Sequence, residues 1–136
     1  MFVANNAIMK ARLTKAEEEI MLVLWDLKEA IVRDVISRLE DPDTPYTTVS
    51  TVIRILEKKG FVAHRAVGTT YLYYPVLSKK EYLKGYLGGI AKSYFDGSTS
   101  GMLTFFARES DLSIKDLKSL MEEVEAELEN EEKDGR

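Results

Sequence analysis

A chain of 136 residues, 45% of them hydrophobic, suits one compact domain or two small subdomains with a core. The absence of cysteine excludes disulfides and thiolate metal sites, and a single histidine leaves few nucleophile–base pairs or transition-metal clusters. A net charge of −4 argues weakly against a general nucleic-acid binder.

In chain order, Thr14 and Glu17 have the spacing of a capping box, which predicts a helix start. Ile20, Val23, Leu24 and Leu27 supply its buried stripe, with Trp25 beside it. Ile31, Val32, Val35, Ile36 and Leu39 predict a second helix, broken by Asp41, Pro42, Asp43 and Pro45. Thr44 is expected to cap a third helix with Pro45 at its first position. In that helix Val49, Val52, Ile53 and Leu56 fall at i, i+3, i+4 and i+7, and Gly60 suits the position just past its end. The period then changes: FVAHRAV and TYLYYPV, separated by Gly68-Thr69, predict a β-hairpin. Ser78 is a cap for a further helix carrying Tyr82, Leu83, Tyr86 and Leu87. FDGSTSG is a break, MLTFFAR a short helix, and Ser113 opens the last one. There Ile114, Leu117, Met121, Val124 and Leu128 alternate steps of three and four, an a/d seam that packs either on the chain's own helices or on a second copy. NEEKDGR is expected to fray.

Three helices followed by a hairpin are the order of a winged helix-turn-helix, a mainly α fold with a small β-hairpin. The expected organisation is a winged-helix domain over residues 1–77, with residues 1–12 a flexible arm, and a helical region over residues 78–136. In such a module the second helix of the motif enters the major groove. The outward face of the third helix suits that task. Thr47, Thr48, Ser50 and Thr51 are short and carry hydroxyls fit for base edges, while Arg54 and Lys58 suit phosphates. On the hairpin, His64, Arg65, Thr69, Thr70 and Tyr71 complete the expected DNA-binding set, although a strand-packing role is the plainer reading of His64 and the tyrosines. Charge follows this division. From Tyr46 to Lys80 the cations are Arg54, Lys58, Lys59, Arg65, Lys79 and Lys80, and the only acid is Glu57; from Glu109 to Arg136 eleven acids stand against four cations.

An enzyme is not expected, nor any cofactor or metal: there is no glycine-rich phosphate loop, and the glutamates from Glu122 to Glu129 read as a solvated helix face. No apolar run approaches the roughly 18 to 20 residues that span a bilayer. The N-terminus lacks the pattern of a signal peptide, so a cytoplasmic location is expected.

The stretches LTKAEEEIMLVLWDLKEAIVRDVISRLE, YTTVSTVIRILEKKGFVAHRAVGTTYLYYPVLSKKEY and YLGGIAKSYFDGSTSGMLTFFARESDLSIKDLKSLMEEVE together resemble the penicillinase-repressor (BlaI/MecI) family, from about Leu13 to Leu128. That resemblance implies a homodimeric repressor with an N-terminal winged helix and a C-terminal helical dimerisation region, binding inverted repeats in double-stranded operator DNA. It implies, as a further partner, a membrane sensor metalloprotease or a protease that such a sensor activates. The segment TFFARESDL matches the family's cleavage segment and places the scissile bond at Phe105–Phe106. The best-known members have asparagine where this chain has Phe105, and the first twelve residues are longer than the usual family start. The alternative reading is a winged-helix module that binds partner proteins and not DNA; the salt dependence of binding separates the two.

Overall fold

The structure, a computed structural model, describes residues 12–134. Of the expected N-terminal arm only Arg12 lies within the described residues. Two compact units meet inside one helix, the first ending at Gly89 and the second beginning at Ile90.

The first unit is built on α1 (Lys15–Leu27), α2 (Val32–Ser37), α3 (Tyr46–Lys58), β1 (Val62–Val67) and β2 (Thr70–Pro75), with α4 (Lys79–Phe95) starting in it. The capping box forms as the spacing predicts: Thr14 Oγ1 accepts from the Glu17 amide and Glu17 Oε1 accepts from the Thr14 amide, at 3.2 and 2.9 Å. Ile20 and Leu24 are buried, and Val23, Trp25 and Leu27 pack against the core. Glu17 itself is buried, only 4% exposed, which its place in a capping box does not foretell. Its second oxygen accepts from Lys59 Nζ at 2.8 Å, tying the start of α1 to the end of α3. Burial pushes the Glu17 carboxyl up, but hydrogen bonds from Lys59 and the Thr14 backbone, with the Lys59 charge, outweigh it and hold the carboxyl below its usual range.

α2 is a single short helix whose Val32 and Val35 enter the core, with Leu39 just beyond it. The start of α3 departs from expectation. Pro45 is the capping residue and Tyr46 the first helical one; the Thr44 hydroxyl instead donates to the Asp41 carbonyl at 2.6 Å, closing the preceding turn. The end follows the pattern. Gly60 has φ +89°, its amide donates to the Glu57 carbonyl at 3.0 Å, and the Phe61 amide reaches back to Leu56 at 2.9 Å. These two bonds make a Schellman motif, and the Leu56 and Phe61 side chains at its two ends are both fully buried in the core. Val49 and Ile53 complete the buried stripe, each such side chain contributing about 1.5–3 kcal/mol by leaving water.

The hairpin pairs Val62 with Pro75 and Val67 with Thr70, around Gly68-Thr69. Gly68 has positive φ (+62°) and Thr69 does not, the pattern of a type II′ turn with glycine first. The hairpin root is joined to the segment before α2, where Ala30 and Tyr73 exchange two backbone hydrogen bonds of 2.9 and 2.8 Å. This completes a winged helix-turn-helix. Ser78 caps α4 through the Glu81 amide, Tyr82 is buried beneath Trp25 and Phe61, and Trp25 Nε1 donates to the Leu77 carbonyl at 2.9 Å.

In the second unit the end of α4 is followed by Asp96 and Gly97, both at positive φ, then α5 (Thr99–Glu109), capped by Ser98, and α6 (Ile114–Asp134), capped by Ser113. The Phe95 and Phe105 rings meet at 5.6 Å. Within this unit Ile114, Leu117, Met121, Val124 and Leu128 form an uncovered ridge along α6; all five are exposed. The helix runs on through Asp134, where fraying is expected, and the last two residues lie outside those described. No described helix is long and apolar enough to cross a membrane.

Candidate nucleic-acid interface

With its stripe Val49, Ile53 and Leu56 fixed in the core, α3 presents two other rows of side chains. The outer row is Thr47, Thr51, Arg54 and Lys58, at i, i+4, i+7 and i+11, all exposed, with Thr48 beside it. The second row runs along the edge turned towards the hairpin: Tyr46, Ser50, Arg54 and Glu57. These four line an open cleft of about 770 Å³, whose other walls are Ile31 to Arg33 and the hairpin residues His64, Gly68, Thr69, Thr70, Tyr71 and Tyr73.

Ser50 is a correction to the outward hydroxyl set. It is 7% exposed and its Oγ accepts from Arg54 Nη2 at 3.1 Å, so it sits behind the surface and orients the arginine. The reason is angular: Ser50 lies about 60° from the outer row, and the hairpin covers that edge.

Glu57, the acid alone in a basic window, is also on the covered edge. Its Oε2 lies 2.7 Å from His64 Nδ1. An ionised carboxylate only accepts, so Nδ1 carries the hydrogen. His64 stacks on Tyr71 with ring centroids 4.2 Å apart, and Tyr73 closes the cluster at 5.6 Å from His64. Burial first, then the Glu57 charge, pushes the Tyr73 phenol up, so it stays neutral. The strand-packing reading therefore holds for His64 and Tyr73, while Tyr71 remains exposed at the cleft mouth.

The hairpin residues expected on one surface divide. The register puts His64, Tyr71 and Tyr73 on one face and Arg65 and Thr70 on the other. Arg65 does not line the cleft; its Nη2 donates to Glu29 at 3.2 Å, an exposed pair worth little against solvent. Thr69 and Thr70 stand at the exposed tip.

Two cleft residues escaped the sequence patterning. Arg33, the second residue of α2, places its guanidinium carbon 5.7 Å from the centroid of the Tyr46 ring. Both lie in or next to gaps between apolar stripes, where spacing predicts only solvent exposure.

The sequence model of the penicillinase repressor family matches residues 13–126. The penicillinase repressor of Bacillus licheniformis is 25% identical over 115 residues, 84% of this chain and 90% of that protein. The methicillin resistance regulatory protein MecI of Staphylococcus aureus (strain N315) is 29% identical over 110 residues, 79% of this chain and 89% of the relative. The solution structure of the DNA binding domain of the repressor BlaI is 28% identical, covers 54% of this chain and 90% of its own, and superposes with a TM-score of 0.47. The winged helix followed by a helical unit therefore lies within a chain matched along most of its length, and that chain belongs to the penicillinase repressor family.

Proposed function

We propose that the chain is a homodimeric transcriptional repressor that holds an inverted-repeat operator through α3 and the hairpin. The observation that carries this is the outer row of α3. Thr47 and Thr51 stand ready for base edges, and Arg54 and Lys58 have no carboxylate partner among the described residues. The second unit is proposed as the dimerisation region. Its uncovered ridge on α6 has the spacing of a helix seam, and a second copy of this chain supplies the same ridge. Two half-sites held together give avidity that one winged helix lacks.

Derepression is proposed to act on that avidity. Phe105 and Phe106 lie in α5 with exposed side chains, between the winged helix and α6 in sequence, so a cut there separates reader from seam. A protease of the kind a membrane sensor activates is the proposed agent.

The test is to select duplexes from a random pool with the full chain, then measure affinity from 50 to 300 mM salt. Repression through DNA contact predicts recovery of an inverted repeat and a steep log–log slope of roughly −0.9 per phosphate contacted. A flat slope and no selected sequence would favour a module that binds proteins alone.

A further inference from the structure

We infer that Arg33 is a second phosphate-binding arm of the DNA surface, held in position by Tyr46 at the start of α3. This rests on the DNA-binding reading above and extends it to a helix that does not enter the groove.

The charge distribution singles Arg33 out. Around α2, α3 and the hairpin, three cations have carboxylate partners: Arg38 with Asp26, Lys59 with Glu17, and Arg65 with Glu29. Three have none among the described residues: Arg33, Arg54 and Lys58. Arg54 and Lys58 belong to the outer row already described. Arg33 reaches the same cleft from the other side, and the carboxylate that lines that cleft, Glu57, is engaged by His64. The cleft is thus walled by two unpaired guanidinium groups and opens between the start of α3 and the hairpin tip.

The way Arg33 is held matters as much as its charge. An arginine fixed by a carboxylate is oriented but neutralised. Arg33 lies over an aromatic ring instead, which orients the planar group while leaving its charge and its N–H fork free. Tyr46 is the first residue of α3, so docking α3 in the groove brings the arginine to the backbone beside it. An oxyanion is the chemistry this presents for, and on a duplex that oxyanion is a backbone phosphate.

The experiment compares four full-length proteins on the selected operator and on an unrelated duplex, from 50 to 300 mM salt: wild type, Arg33→Ala, Tyr46→Leu and Arg54→Ala. One phosphate contact carries a slope of about 0.9, which is about fivefold in affinity at 0.15 M salt. Arg33→Ala is expected to weaken both duplexes by that same factor and to lower the slope by about one. Tyr46→Leu keeps the charge, so it is expected to weaken binding with the slope unchanged. A loss confined to Arg54→Ala, with an Arg33→Ala slope equal to wild type, would reduce Arg33 to a packing contact between α2 and α3 and overturn the inference alone. Should wild type itself bind neither duplex, the DNA-binding reading fails and the inference with it. Trp25 fluorescence on each variant reports the fold of the first unit, and Arg33→Lys, which restores charge without the fork, is expected to recover most of the slope.

Discussion

Replacing Glu17 by glutamine removes one charge from the joint between α1 and α3 and keeps its shape. The carboxylate accepts from Lys59 Nζ at 2.8 Å and from the Thr14 amide at 2.9 Å. A hydrogen bond to a charged group contributes about 1.5–3 kcal/mol, but Lys59 is 41% exposed and regains water when released, and the amide oxygen still satisfies one donor. The net cost at neutral pH is therefore about 1–2 kcal/mol, several degrees in the unfolding midpoint of a unit this small. The sign with pH follows from the depressed folded-state carboxyl. Its stabilisation is fully present above the unfolded value, the ordinary glutamate value of about 4.3, and is lost as pH falls through the folded value. Trp25 is the chain's sole tryptophan and packs in the first unit against Tyr82, so its fluorescence during urea unfolding isolates that unit. Wild type should exceed Glu17→Gln by the full margin at pH 7, and the two should converge as pH falls through the depressed folded-state value of the carboxyl. A margin that stays constant from pH 7 to pH 3 would mean that packing, not the charge, holds the joint.

Thr51→Ala should weaken the selected operator by about 1–3 kcal/mol while leaving an unrelated duplex unchanged; equal losses on both would remove Thr51 from base readout. Leu117→Asp places a charge in the seam and should cost several kcal/mol of association, so that sedimentation finds monomers whose first unit is still folded. A fragment of residues Met1 to Phe105 should fold but release the operator at concentrations where the full chain retains it, and undiminished retention would show the second unit to be dispensable.

The periodicities carried the architecture well because each is enforced locally. The 3.6-residue stripe of α3, the two caps at Thr14 and Ser78, and the Gly60 termination are decided within about eight residues. What was not legible depends on partners far away in sequence. The same Thr14–Glu17 spacing serves an exposed or a buried glutamate, and only Lys59, 42 residues on, decides which. Ser50 lies on the margin of the outer row, and the hairpin determines that it is covered. Thr44 and Pro45 are each competent to stand at a helix start; the nearby Asp41 carbonyl drew the threonine hydroxyl away. Arg33 lies outside the linear window of positive charge yet enters the cleft, because Ala30 bonds to Tyr73 and brings the segment before α2 against the hairpin.

That bridge also grades the hairpin from one end to the other. At the root, Ala30 holds Tyr73, the Val76 amide donates to the Phe61 carbonyl at 2.8 Å, and Val62 is buried. From Val67 to Thr70 every residue is exposed and the ribbon is only two strands wide. A free two-stranded ribbon is marginal in water, so amide exchange should slow steadily from tip to root. If DNA touches the tip as proposed, it must first still it, and that ordering draws on the contact energy. On the proposed reading, in which the tip touches the operator, retention there is tuned by stiffness alone: a substitution that quiets Gly68-Thr69 in its bound turn would tighten binding without adding a single contact to DNA.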